Sequence, residues 1–373
     1  MEAAPLVPVK IAFVFAGGRE ARWDAALAGG VPTDFFYGAV EIARNGHDVI
    51  CIDAPSSPRS WLAAGYNALF GNRTPARMRG EHIVGIGRIL KRLGDADVVV
   101  AASTAHANAL AAWKQRGFIR GRLVGIHCGQ VNHMLSPARR QATARAMACQ
   151  DVVLFADAEK EETMRQFAVP EERLHANAFG VDTRFWTPAP ASTEFILSVG
   201  NDGRRDFATL VSAVDGLDVP VKIVTSRPLP QPLPSNIDHL RGSWHAPAVT
   251  DEELRELYRR ALAVVVPLED SIQPSGQSVA LQAMACGRPV ILSRTRGLWT
   301  GQDFEAERDL LLVESGNPED LRRAIQRLLD DSDFRERMGR SAREAVDRVG
   351  TIDAFAARLM HLIAGESRPI RNI

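Results

Sequence analysis

An excess of charge of either sign is missing from this 373-residue chain: Lys+Arg and Asp+Glu each total 45. Total charge therefore points to no nucleic-acid partner. Cysteine is scarce as well. The four residues Cys51, Cys128, Cys149 and Cys286 lie far apart and form no Cys-x-x-Cys pair. They read as reduced, mostly buried residues of a cytoplasmic protein. The opening MEAAPLVPVK lacks the charged-then-apolar layout of a signal peptide. No apolar run reaches the length of a membrane span, the nearest, Val98 to Ala112, being broken by His106 and Asn108. These absences favour a soluble protein, peripheral to a membrane at most. Gly17–Gly18 follow the first apolar run without a Gly-x-Gly-x-x-Gly, and neither a Walker A sequence nor Gly-x-Ser-x-Gly occurs. A dinucleotide oxidoreductase is disfavoured accordingly.

What is present is a 46% hydrophobic chain long enough for two domains. Short β-branched runs alternate with amphipathic helical patterns. Five runs fall in the first half, at 10–16, 48–53, 97–102, 122–127 and 151–156. Five more follow, at 195–200, 221–226, 263–268, 289–293 and 309–314. Most are continuously apolar, as strands covered on both faces are, and helices between them imply parallel sheets. The Pro- and Ala-rich stretch from Trp186 to Ser192 reads as a linker. This gives an N-terminal Rossmann-like domain over 1–188, a second over 189–351, and a closing helix over 352–373 that could pack back across the junction.

Two stretches in the second half suggest phosphate chemistry. In QPSGQSVALQAMACGRPVILS (273–293) a Gly-containing loop runs into a helix beginning near Ser275–Ser278. Gly276 would let a ligand approach the backbone, while Gln277, Ser278 and Val279 would offer unpaired N–H groups at the positive end of the helix. Gln282, a turn further on, could reach ribose hydroxyls. A tightly packed but ordinary strand–helix unit would read the same way. In ILSVGNDGRRDFATLVSAV (196–214) the turn after a strand carries Arg204 and Arg205, placed to clamp a diphosphate or simply forming a basic surface turn.

Four segments in order resemble the family-four retaining glycosyltransferases (glycosyl transferases group 1): AFGVDTRFWTP, SVGNDGRRDFATL, LQAMACGRPV and GNPEDLRRAIQRLLDDSDFRERMGRSAREAV. The N-terminal half is similar more loosely, through Gly29–Gly30 and the GHDV beginning at Gly46. The resemblance implies the α/β GT-B fold, two facing Rossmann-like domains with a cleft between them. The first would bind the acceptor and the second the nucleotide sugar. It further implies hexosyl transfer from a nucleotide-sugar donor, a UDP-sugar by preference, with retention and without a bound metal or other cofactor. Carried over by position, Arg205 with Arg204 holds the diphosphate, and Ser275, Gly276, Gln277 and Ser278 line the phosphates and sugar. Gln282 takes the ribose position, Gly30 with Gly29 opens a helix facing the donor phosphate, and His127 lies near the transferred sugar.

The sequence departs from the family at two carboxylates eight positions apart, which here are Pro274 and Gln282, and at Asn201, where the family has Arg. Gln273, Glu269 or Asp270 would have to replace the first carboxylate; of these Gln273 is the chosen candidate. HCGQVNH (127–133) offers His127, Cys128 and His133 as nominal zinc ligands, but no fourth is nearby, so no metal site is expected. His47 in GHDV reads as structural.

Between Arg59 and Arg145 fourteen Lys or Arg stand against three acids. This is either a solvated face or a surface for something anionic, such as phospholipid headgroups. The segment RMRGEHIVGIGRILKRLG (77–94) is amphipathic. It would pack on the core by its isoleucines or meet an anionic bilayer at the inner face of the membrane. The favoured function is glycosyl transfer to a hydroxyl acceptor on a lipid or membrane-associated glycan. A sugar-nucleotide epimerase or hydrolase on the same fold, or a non-catalytic nucleotide-sugar binder, are the alternatives.

Overall fold

The computed structural model describes residues 9–55, 60–131, 134–190, 193–242, 249–299 and 304–365. Arg59 and His133, both used above, lie outside the described residues. The chain divides into two compact units, Met1–Ala178 with Phe355–Ile373, and Phe179–Ala354.

The first unit is a parallel sheet of β1 (Lys10–Phe15), β2 (Asp48–Asp53), β3 (Val98–Ala101), β4 (Arg122–Ile126), β5 (Asp151–Leu154) and β6 (Leu174–Ala176). Its order is β2-β1-β3-β4-β5-β6. Its helices are α1 (Trp23–Leu27), α2 (Ala39–Arg44), α3 (Trp61–Phe70), α4 (Gly80–Leu93), α5 (Thr104–Lys114), α6 (Pro137–Met147) and α7 (Asp157–Phe167). The second unit repeats the plan with β7 (Phe195–Val199), β8 (Val221–Val224), β9 (Ile237–Leu240), β10 (Ala261–Val266), β11 (Val290–Arg294) and β12 (Leu311–Glu314). There the order is β12-β11-β10-β7-β8-β9, again all parallel. Around them lie α8 (Phe207–Val214), α9 (Asp251–Arg260), α10 (Gln277–Ala285), α11 (Pro318–Asp330) and α12 (Ser332–Val349); α13 (Ile352–Ala364) follows.

The central strands are apolar throughout because helices cover both faces. Ile11, Ala12, Phe13 and Val14 in β1 and Val264, Val265 and Val266 in β10 are all fully buried. The helix expected to meet either the core or a bilayer is α4. Ile86, Ile89 and Leu93 belong to the core of the first unit, with Ile83 and Leu90 packed against it. Its apolar face therefore points inward, and Arg92 on its outer side pairs with Glu20 at 2.7 Å.

From Phe355 onward α13 belongs to the first unit. Arg358 Nε donates to Asn177 Oδ1 at 2.6 Å, and Asn177 Nδ2 donates to the Phe355 carbonyl at 3.3 Å. Arg122 Nη1 donates to the carbonyls of Leu362 and Ile363. Phe355 stacks on Phe155, 6.3 Å between ring centres.

Among the described residues no helix is long and apolar enough to cross a membrane.

Candidate active site

The phosphate-binding candidate is built where β7 and β10 end. After Val199 the chain turns at Gly200 with φ of +152°, and a Cβ there would lie 2.0 Å from Arg205 Nε. Only glycine lets the arginine fold back beneath its own turn. Arg205 is 6% exposed. Its backbone bridges Leu268, and Asp206 N–H donates to the Pro267 carbonyl at 3.0 Å, which ties the turn to the segment after β10.

Asp202 holds this turn together. Its Oδ2 lies 2.9 Å from Arg205 Nε. Its Oδ1 accepts from Arg204 N–H at 3.0 Å and from the Ser275 hydroxyl at 2.5 Å. Burial works to raise the Asp202 carboxyl, but Arg205, Ser275 and the Arg204 N–H outweigh it and hold the group below its usual range. Burial pushes the Arg205 guanidinium below its own usual value, with Asp202 opposing. Arg205 Nη1 has no hydrogen-bond acceptor among the described residues.

That nitrogen sits beside the start of α10. Gly276 is the N-cap, with φ of +73° and no side-chain cap. A Cβ on Gly276 would lie 2.5 Å from Val266 Cγ1 and 3.2 Å from Arg205 Nη1. The first-turn N–H groups of α10 and a buried, underused guanidinium thus converge at one glycine. The helix is buried nearly all round, which is why it carries Ser, Gln and Ala where an exposed helix would carry Lys and Glu.

Not every expected residue joins this group. Arg204 turns outward, its Nη1 3.5 Å from Glu269 Oε2. Gln277 is buried at the first helical position and Ser278 is half-buried beside it. Gln273 is half-buried, and its N–H donates to Ser271 Oγ at 2.9 Å. Gln282, expected at a ribose, is 5% exposed, and its Oε1 accepts from the buried Tyr258 hydroxyl at 3.1 Å. Sequence reasoning missed Asp202 and Tyr258. The signal for Asp202 was its place in an Asn-Asp-Gly turn, where an Asp side chain habitually accepts the N–H two residues on.

In the first unit, His127 follows β4 and is fully buried. Gln150 Nε2 donates to the Ala146 carbonyl, which leaves its Oε1 to accept from His127 Nε2 at 3.1 Å. His127 Nδ1 lies 2.9 Å from the Gln130 amide. The neutral Nε2–H tautomer satisfies both contacts once the Gln130 amide turns its NH2 toward Nδ1. Burial lowers the pKa of this imidazole. Both ring nitrogens of His127, the residue expected near a transferred sugar, are engaged inside the protein. Beside it Glu159, fully buried, accepts from the Gly129 N–H at 2.5 Å. Burial pushes its carboxyl up to about 7, against the backbone N–H groups of Gly129 and Gln130.

The glycine pair also differs from expectation. Gly29, with φ of +79°, and Gly30 close α1, their N–H groups donating to the carbonyls of Ala26 and Ala25. A left-handed glycine whose N–H donates back to the carbonyls of the preceding turn is a helix end. The next α-helix, α2, begins after Gly38. Among the described residues no three His, Cys, Asp or Glu side chains gather as a metal-binding group.

Residues 199–331, which contain Asp202, Arg205 and α10, match the family described as Glycosyl transferases group 1. The D-inositol 3-phosphate glycosyltransferase of Paenarthrobacter aurescens is 37% identical over 106 residues, 28% of this chain and 25% of that protein. The chain thus spans about a quarter of that curated relative's length in the match. Over the whole chain the likeness is one of fold. Sucrose-phosphate synthase from Thermosynechococcus elongatus aligns with a TM-score of 0.69 at 19% identity, over 96% of this chain and 98% of that one. Anabaena HepE, solved with UDP and glucose, aligns at 0.67 and 13% identity, over 95% and 99%. Two parallel six-stranded sheets with helices around them are the two-domain α/β GT-B fold.

Proposed function

We propose that this protein is an enzyme that transfers a sugar from a nucleotide-sugar donor, a UDP-sugar by preference, to a hydroxyl acceptor with retention at the anomeric carbon. One observation carries the reading: Arg205, 6% exposed and with Nη1 lacking an acceptor among the described residues, beside the uncapped start of α10. A buried cation left short of acceptors is costly unless an anion completes it. A diphosphate supplies the missing acceptors. The match of residues 199–331 and the UDP held by Anabaena HepE support the choice of donor.

The chemistry asked of this chain is electrostatic. As the glycosidic C–O bond to the donor diphosphate breaks, negative charge grows on the leaving oxygen. Arg205 and the first N–H groups of α10 are fixed in advance to receive it. Asp202 aims Arg205, and Ser275 completes the brace. The acceptor hydroxyl we favour belongs to a lipid or a membrane-associated glycan, consistent with the basic composition of the first unit. A panel of nucleotide sugars, incubated with and without acceptor lipid extract, tests the assignment by release of free nucleotide. Release that rises with acceptor supports transfer. Release independent of acceptor indicates hydrolysis, and binding without release indicates a nucleotide-sugar binder.

A further inference from the structure

The helix α3 is unlike every other on the surface of the first unit. Its ten residues, WLAAGYNALF, contain no charge. Soluble surface helices set polar residues outward, yet here the outward positions are the largest apolar ones. Trp61 is 80% exposed, Leu69 75%, Leu62 50% and Phe70 49%. Trp61, Gly65 and Leu69 follow one another at four-residue spacing, with Leu62 on the same side. The opposite side is the one attached to the protein. Ala63 is buried, and a Cβ on Gly80 would lie 2.3 Å from the Ala63 carbonyl oxygen. Asn67 Oδ1 accepts from Gly80 N–H at 2.7 Å.

Exposed arginines lie close to α3 along the chain and around the side by which it is attached. Arg73 follows α3 directly in the turn Gly71–Arg73, is exposed, and has no ion-pair partner among the described residues. Arg79, exposed, immediately precedes the Gly80 that α3 binds. Arg116, exposed, lies near enough to Tyr66 of α3 to act on its hydroxyl electrostatically. Exposed apolar patches of this kind mark interaction surfaces. Bulky aromatics bordered by arginines match a bilayer interface, where Trp sits at headgroup depth and guanidinium groups meet lipid phosphates.

We propose that α3 is a membrane-docking element that inserts Trp61, Leu62 and Leu69 into an anionic lipid surface, with Arg73, Arg79 and Arg116 on the headgroups. The sequence pointed to α4 for this role. The structure moves it to the neighbouring helix, because α4 has already buried its apolar face in the core. Membrane contact through α3 is independent of sugar transfer, so vesicle binding can fail while transfer to a soluble acceptor succeeds.

The test is co-sedimentation of the full chain with vesicles of phosphatidylglycerol and phosphatidylcholine, and with phosphatidylcholine alone, at low and high salt. Binding is expected to rise with phosphatidylglycerol and to weaken with salt. The exposed pair Trp61→Ser/Leu69→Ser should cut partitioning by about tenfold or more while leaving circular dichroism unchanged. Brominated lipids should quench the parent's fluorescence more than that of Trp61→Phe, a variant that should still bind vesicles. Absence of binding to every vesicle at low salt would overturn the proposal. So would undiminished binding by the double variant. A parent that is dimeric in the ultracentrifuge, and monomeric as the double variant, would also overturn it by showing that a second copy of the chain covers α3.

Discussion

Asp202 Oδ2 lies 2.9 Å from Arg205 Nε while its other oxygen accepts the Ser275 hydroxyl and the Arg204 N–H. One carboxylate thus joins the turn after β7 to the loop before α10. It also occupies only part of the guanidinium, so the arginine is aimed without being used up.

Arg205→Lys is expected to weaken UDP binding by about 1.5–3 kcal/mol, since a point charge replaces a planar fork at a buried site. Asp202→Asn should weaken it less, because the amide can still accept from Ser275. Calorimetry on both folded variants checks this, and equal affinities across the parent and Arg205→Lys would remove Arg205 from the site.

Gly276→Ala is expected to cost at least about 1–2 kcal/mol from the left-handed backbone alone. The added methyl would also lie 2.5 Å from Val266 Cγ1. Denaturant unfolding should show the loss, and UDP affinity should fall with it because the start of α10 must shift.

Gln282→Leu is expected to lower stability by about 1–3 kcal/mol, because it removes the oxygen that accepts the buried Tyr258 hydroxyl. Gln282→Glu should be tolerated, since a carboxylate accepts the same hydroxyl. Adding Tyr258→Phe to Gln282→Leu should recover part of the loss. A double-mutant cycle with no coupling would show that the 3.1 Å contact contributes nothing.

Glu159 gives a pH signature. Its folded carboxyl is pushed up from 4.5 to about 7, so the folded state holds a proton that the unfolded chain releases. Stability is therefore fullest below the unfolded value, falls as pH rises toward about 7, and levels off above it, by roughly 3 kcal/mol at most. Unfolding titrations across that range should show the decline in the parent and a flatter profile in Glu159→Gln.

Much of the fold was legible in the sequence because most of the ten strands it revealed are continuous apolar runs. The two that were missed, β6 (LHA) and β9 (IDHL), are short strands at sheet edges, where one side needs no apolar cover. At the candidate site, the order of strand, glycine turn and helix suggested Arg205, Ser275 and Gly276, and the structure brings Gly276 beside Arg205 and Ser275 onto Asp202. Gln282 and His127 were assigned from residue type and spacing, which do not reveal direction. Only the structure shows Tyr258 and Gln150 taking up their polar atoms. The amphipathic pattern of α4 was read correctly as a pattern. Its neighbour α3 gave no such signal, because a helix apolar outside and anchored by backbone contacts has no alternating code.

The return of the chain at Phe355 imposes an order on synthesis. A ribosome makes residues 10–176, and with them every strand of the first sheet, long before it reaches α13. Until the intervening unit has been translated, Phe155 lacks the ring of Phe355, and Arg122 and Asn177 lack the carbonyls they will bind. The first unit must therefore wait, incomplete and with apolar surface uncovered, while the second is made and can already fold. α13 thus closes a unit whose strands were all made before the second unit began.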